Sequence, residues 1–250
     1  MADPVLSTEN LTRRFGALGA VNDVSLAFEE GRVHAVIGPN GAGKSTFLNL
    51  LSGELRATSG RVRFRGLDVT SATPEELSRL GVGRSYQTAN LFPELRCHDC
   101  VWLAAQSRLP SAMRFFRQAQ KYAEVESRAA RALQLCGLES RRSAIAGQLS
   151  YGEQRQLEIA MVLATEPTLL LLDEPLAGLG HDEAARIIDL LRQLSRGRTA
   201  ILVEHDMDAV FSISDTVTVL VDGHVLETGS PERVRASVRV REAYLGEEVA

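Results

Sequence analysis

Cysteine, net charge, long apolar runs and lysine are all scarce in this 250-residue chain. Its three cysteines, Cys97, Cys100 and Cys136, are an odd and sparse set that cannot form a disulfide framework. Cys97-His98-Asp99-Cys100 has the C-x-x-C spacing of redox and zinc sites. No second ligand pair accompanies it, so buried thiols of a reducing compartment are the simpler reading. With 28 basic and 32 acidic residues the net charge is −4. That excludes the overall basic field on which non-specific nucleic-acid binding depends, and no nucleic-acid partner is expected. The longest apolar runs, around Leu169–Leu172 and Val217–Val221, are strand-sized. They fall far short of the ~20 residues that a membrane span needs. Met1-Ala2-Asp3-Pro4 lacks the basic-then-apolar pattern of a secretory leader, which makes the cytoplasm the expected location.

Of the basic residues only Lys44 and Lys121 are lysine. A chain that otherwise uses arginine has one of its two compact ammonium groups inside Gly38-Pro39-Asn40-Gly41-Ala42-Gly43-Lys44-Ser45-Thr46. This is the G-x-x-x-x-G-K-[ST] spacing that lets a backbone loop wrap the phosphates of a nucleotide. Glycines at 38, 41 and 43 let main-chain N–H groups turn inward where side chains would clash. A helix beginning near Lys44 adds its positive end, Lys44 can reach the outer phosphates, and Ser45 can ligate Mg²⁺. A nucleoside triphosphate and Mg²⁺ are the ligands this implies.

With 44% hydrophobic residues, the length suits one large α/β domain or a core carrying an inserted subdomain. From Val5 to about Glu29 the apolar residues alternate as in half-buried antiparallel strands. Arg32–Ile37 reads as a strand running directly into the glycine loop. A short β region follows at Gly60–Phe64, then a brief helix at Pro74–Leu80 with Thr73 as its N-cap. Between about Asn90 and Gln148 the sequence becomes arginine- and alanine-rich and helical, most clearly from Arg117 to Cys136, as in an inserted helical subdomain. Within it Met113, Phe115 and Phe116 are read as core, with a partner-facing or membrane-facing patch as the alternative. After Ser150 the alternation resumes: a helix to Ala164, a strand at Leu169–Leu172, a helix at Asp182–Arg196, a strand at Ala200–Val203, and a hairpin turning at Asp222-Gly223. Apolar strands separated by helices imply a parallel sheet with its ligand at the strands' carboxyl ends.

Asp173-Glu174 closes the run Leu169–Leu172, at the sheet edge where the phosphate loop should lie. Asp173 is suited to hold Mg²⁺, and Glu174 to accept a proton from the water attacking the terminal phosphate. Leu149-Ser150-Tyr151-Gly152-Glu153-Gln154 reads in isolation as a capping box, Ser150 with Glu153, at a helix start. Taken with the loop before it and the acid pair after it, it resembles the LSGGQ signature of ATP-binding cassette (ABC) ATPases.

That resemblance covers nearly the whole chain. It implies a P-loop NTPase (RecA-like) core with an antiparallel β subdomain and an inserted helical subdomain. Residues 1–250 then form one ABC ATPase domain, with the core in 1–87 and 155–250 and the helical subdomain, carrying the signature, in 88–154. Phe15 matches the aromatic that stacks on adenine, and Gln87 the glutamine that touches Mg²⁺ and the lytic water. His205 matches the switch histidine that contacts the terminal phosphate, beside Glu174 in the catalytic set. Ser150, Tyr151, Gly152 and Glu153 would complete the nucleotide site of a second subunit facing head to tail. Gly180 stands where the family commonly has an aspartate, six residues after the glutamate, which leaves His181 and Asp182 next in line and Asp182 placed to cap the following helix.

Leu149–Glu158 (LSYGEQRQLE), EPLAGLG, the EHDM at Glu204–Met207 and the REAYLGE tail are similar to the cassettes of branched-chain amino-acid importers. The resemblance implies two integral membrane permease subunits docked near Gln87–Leu95, a secreted substrate-binding protein, and a peripheral place on the cytoplasmic face of the inner membrane. Urea or amide import, lipid or lipopolysaccharide export, and a non-transport ABC ATPase acting on nucleic acid or ribosomes are the other tasks such cassettes serve.

Overall fold

The computed structural model describes residues 4–86, 91–108, 119–194 and 198–245. Gln87 and the Met113, Phe115 and Phe116 patch lie outside the described residues.

Along the chain run β1 (Leu6–Phe15), β2 (Leu18–Val24), β3 (Ala27–Phe28), β4 (Val33–Ile37), α1 (Lys44–Leu51), β5 (Ser59–Phe64), β6 (Leu67–Asp68), α2 (Pro74–Leu80) and β7 (Val82–Arg84). Then come α3 (Cys97–Gln106), α4 (Ala119–Leu135), α5 (Tyr151–Ala164), β8 (Leu169–Asp173), α6 (His181–Leu194) and β9 (Thr199–Val203). The chain continues through α7 (Met207–Ile213), β10 (Thr216–Val221), β11 (His224–Gly229), α8 (Pro231–Ala236) and α9 (Val238–Leu245). Helix α5 runs unbroken across the 154/155 boundary expected from sequence.

Every residue of β4, β8 and β9 is buried, as expected for strands covered on both faces. They form the middle of a sheet ordered β11-β10-β4-β9-β8-β7, parallel throughout except for the β10–β11 hairpin. That hairpin turns at Asp222 (φ 49°) and Gly223 (φ 77°), the two positive φ angles of a tight primed turn. Successive side chains of β8 and β9 enter opposite cores. Leu170, Leu172, Ala200 and Leu202 pack with α3, α4, α5 and α6, while Leu169, Leu171, Ile201 and Val203 pack with α1 and the antiparallel strands. The second sheet, β2-β1-β5-β6 with β3 beside β1, is antiparallel. The three cysteines are free and buried, packed among Val101, Ala129, Ala132 and Leu157 of the helical layer. His98, between Cys97 and Cys100, is engaged by Asp99 at 3.2 Å and Glu126 at 2.9 Å.

Helix starts follow local chemistry. Thr73 caps α2 in a capping box with Glu76, and Pro74 stands at the first helical position. Asp182, by contrast, does not cap the helix it precedes in the sequence reading. α6 begins at His181, which places Asp182 inside the first turn, and Glu183 instead accepts the Gly180 N–H at 3.3 Å.

Candidate nucleotide site

The register of the central strands builds the site. Val36 of β4 and Asp173 of β8 both lie level with Val203 of β9. The glycine loop, the acid pair and Glu204-His205 therefore leave the sheet at one carboxyl edge. Gly38 starts the loop with φ 152°, and a Cβ there would lie 2.1 Å from the Leu220 carbonyl oxygen of β10. Gly43, at φ 96°, occupies the N-cap position of α1, with the Ala20 carbonyl oxygen 2.1 Å from where its Cβ would be. Only glycine fits either place.

No side chain caps α1 and no acid stands in its first turn, whereas Thr73, Ser150, Asp206 and Ser230 cap α2, α5, α7 and α8. Its positive end is thus available to an anion. The Lys44 ammonium is held across the loop, donating to the carbonyls of Gly38 at 2.6 Å and Pro39 at 2.8 Å. Behind the loop, the Gly223 N–H donates to Ala42 at 3.1 Å, so the β10–β11 turn buttresses it. Asn40, Gly41 and Ser45 are exposed, while Ala42 is buried.

Asp173 is 6% exposed, with the Arg84 guanidinium at 3.5 Å. Burial pushes its pKa up and the Arg84 charge opposes that. A buried carboxylate so placed is a fitting oxygen donor for a small hard cation. Glu174 adopts φ 44°, a left-handed conformation costing about 1–2 kcal/mol for a residue with a Cβ. Its N–H donates to Val203 at 2.9 Å. The next strand end carries Glu204, fully buried, which accepts the N–H groups of Leu176 at 2.7 Å and His205 at 3.1 Å. Desolvation raises its pKa as well. His205 itself is exposed, its Nδ1 3.6 Å from Glu204.

Ser150 caps α5 in a full capping box. Its hydroxyl accepts the Glu153 N–H at 3.2 Å, and Glu153 accepts the Ser150 N–H at 3.0 Å while pairing with Arg141 at 2.8 Å. Such a cap contributes about 1 kcal/mol. The Glu153 carboxylate is thus turned back onto its own chain. A second carboxylate reaches the same helix end from α6: Glu183 accepts from the Ser150 hydroxyl and the Gly152 N–H, both at 3.3 Å. Tyr151 is half exposed, and its ring lies 3.3 Å from where a Cβ on Gly178 would be. Phe15 ends β1, exposed, with the Arg13 guanidinium stacked 4.5 Å from its ring centroid.

The structure brings Gly38–Thr46, Asp173, Glu174 and His205 to one sheet edge, ties Ser150–Gly152 to α6, and sets Phe15 on the neighbouring antiparallel sheet. Five polar residues of this region escaped sequence reasoning. Arg84 and Glu183 carry no local signal. Glu204 stands inside the EHDM motif without a role of its own, and Arg155 and Glu158 form an i,i+3 charge pair on a mostly apolar helix.

A glycine loop on an uncapped helix, with paired carboxylates at the end of a neighbouring parallel strand, defines a P-loop ATPase. The chain belongs to the ABC transporter family: that family's model matches residues 21–177, and the model described as branched-chain amino acid ATP-binding cassette transporter matches residues 224–250. The high-affinity branched-chain amino acid transport ATP-binding protein LivG of Salmonella typhimurium is 38% identical over 256 residues, spanning 99% of this chain and all of the relative. Among solved structures, the ADP conformation of MJ1267, an ATP-binding cassette of an ABC transporter, superposes with a TM-score of 0.85 at 30% identity, covering 98% of this chain and all of that one. The dimeric post-hydrolysis state of the cassette MJ0796, bound to ADP and Pi, gives 0.77 at 28% identity, covering 90% and 98%. This protein is an ATP-binding and ATP-hydrolysing cassette.

Proposed function

We propose that this cassette energises the import of branched-chain amino acids. It would work with a second ATPase subunit, two integral membrane permeases and a secreted substrate-binding protein, at the cytoplasmic face of the inner membrane. The observation that carries this reading is the full-length similarity to LivG, joined to the separate match of the carboxyl-terminal residues 224–250. Among the described residues no helix is long and apolar enough to cross a membrane, so separate subunits would have to span it. Residues 88–154 are assigned to the helical subdomain, supported by the packing of α3 and α4 against α5.

Within the site, the backbone of Gly38–Gly43 and the N-terminus of α1 would cradle the phosphates, with Lys44 on the outer ones and Thr46 behind. Phe15 would stack on the adenine. Ser45, Asp173 and Gln87 would supply oxygen donors suited to Mg²⁺, which would offset the negative charge of the bound phosphates. Glu174 is assigned as the base that takes the proton of the attacking water, and His205 as the contact to the terminal phosphate. Ser150, Tyr151, Gly152 and Glu153 would close over the nucleotide of the facing subunit, α5 offering its positive end to the γ-phosphate. ATP then holds two cassettes together and hydrolysis releases them, a population shift that can do work on attached permeases.

The test is co-purification with the candidate permeases, followed by ATPase assay with leucine, isoleucine or valine and the binding protein. Stimulation by those substrates supports the reading. Stimulation by urea or amides alone would reassign the cargo. Alongside, Glu174→Gln is expected to slow hydrolysis by two or more orders of magnitude while ATP still binds and a dimer accumulates. Near-normal turnover removes Glu174 from the base role.

A further inference from the structure

Arg155, on the second turn of α5, is 3% exposed. It directs all five of its donors to acceptors. Nε reaches the Pro175 carbonyl at 3.3 Å, and Nη2 those of Asp173 at 2.8 Å and Glu174 at 3.0 Å. Nη1 donates to the Tyr86 carbonyl and to Glu158 Oε2, the latter at 2.5 Å. Glu158, equally buried, accepts the Tyr86 N–H through its other oxygen at 2.8 Å.

The pair therefore grips three consecutive carbonyls, beginning at the last residue of β8, and both backbone groups of Tyr86. Glu174 stands in the middle of that run with its left-handed φ of 44°. A backbone conformation unfavourable to a residue with a Cβ persists only where its surroundings over-determine it. The guanidinium, together with the bond from the Glu174 N–H to Val203, is that determination.

Burial of an ion pair is weak evidence for a stabilising role, because apolar side chains of similar volume often serve as well or better. What such side chains cannot supply is a rigid fork of donors aimed at backbone oxygens. We infer that Arg155, with Glu158 as its counter-charge, is a positioning residue for ATP hydrolysis. It fixes the Asp173–Pro175 backbone that aims the Glu174 carboxylate, and it makes the signature helix, the base and the Tyr86 strand end move as one body. The inference rests on the assignment of Glu174 as base.

The experiment compares three variants of the full-length chain with the parent: Arg155→Met/Glu158→Leu, Arg155→Lys, and Glu174→Gln. Melting temperature, MgATP affinity, kcat and KM are measured for each. The double variant replaces the ion pair by apolar groups. It is expected to melt within a few degrees of the parent and to bind MgATP, yet to lose about 10²-fold in kcat with KM within about twofold. Arg155→Lys keeps a charge and fewer directed donors, and its kcat falls between the two. A double variant that turns over within about threefold of the parent overturns the inference. So does failure of both Arg155 variants to fold well enough to bind MgATP, since the pair is then a packing element. Glu174→Gln separates the two assignments. Normal turnover there unseats the base whatever Arg155 does, whereas its loss beside normal turnover in the double variant removes the positioning role alone.

Discussion

The Glu183 carboxylate rests on the Ser150 hydroxyl and the Gly152 N–H, at the helix end assigned to the γ-phosphate of a facing subunit. A phosphate and a carboxylate cannot share those donors, so closure must first move Glu183 aside. Both contacts are 3.3 Å long and the side chain is half-buried, which sets each at about 0.5–1 kcal/mol. The two contacts together then oppose closure by about 1–2 kcal/mol per site. A symmetric dimer has two sites, doubling the term to about 2–4 kcal/mol, or roughly 30-fold to several hundred-fold in the dimer dissociation constant. Glu183→Ala, placed in a Glu174→Gln background so that hydrolysis does not dissolve the complex, should dimerise with ATP at correspondingly lower protein concentration. Glu183→Gln, which keeps an acceptor but loses the charge, should fall between. Sedimentation velocity across a protein dilution series at saturating MgATP reads the shift directly. If Glu183→Ala leaves the dimer unchanged or weaker, the carboxylate does not compete with the phosphate and the reasoning fails.

Two further outcomes follow from single positions. Gly38→Ala forces a Cβ against the Leu220 carbonyl, a strand oxygen that cannot yield, and should cost about 3 kcal/mol, or roughly 6–12 °C in melting temperature. Calorimetry showing a change under about 2 °C would mean the loop accommodates a side chain. Burial raises the pKa of Glu204 above its unfolded value, so the native state holds this proton more tightly than the unfolded chain. Its contribution is fully present below the ordinary carboxylate range and is lost as pH rises through the raised value. Denaturant unfolding from about pH 4.5 to 8 should therefore show the parent gaining stability relative to Glu204→Gln as pH falls. A flat or reversed difference contradicts the cause assigned to the shift.

The strands that build the site were legible because they obey strong local rules. Leu169–Leu172 can hardly be anything but a covered strand, and the glycine loop must follow one. Thr73 and Ser150 announced their helices through capping chemistry that the structure contains in full. What sequence could not reveal is set by tertiary placement. Strand β7 is three residues, Val82-Gly83-Arg84, too short for alternation to register. It matters because it brings Arg84 beside Asp173. Asp182 looked like a cap because the type is right, but α6 begins at His181, which puts Asp182 inside its first turn, and the Glu183 carboxylate accepts the Gly180 N–H. Arg155 was visible as a letter in a motif whose neighbours drew attention. Its role depends on carbonyls 18 to 20 residues away along the chain, a distance no local pattern encodes.

The alternation of β8 and β9 between two cores restricts how this site can be altered. Sliding β8 by one residue would send Leu169 and Leu171 into the helical layer, expel Leu170 and Leu172 from it, and exchange the faces on which Asp173 and Glu174 emerge. A shift that preserves both cores must be two residues, about 7 Å, which is longer than any contact in the site tolerates. The spacing between the glycine loop, Asp173 and Glu174 is therefore quantised by the strands. Finer adjustment is left to the turns that follow them, so insertions and deletions compatible with turnover belong beyond Leu176, past the carbonyls that Arg155 holds, and after His205, never within the strands.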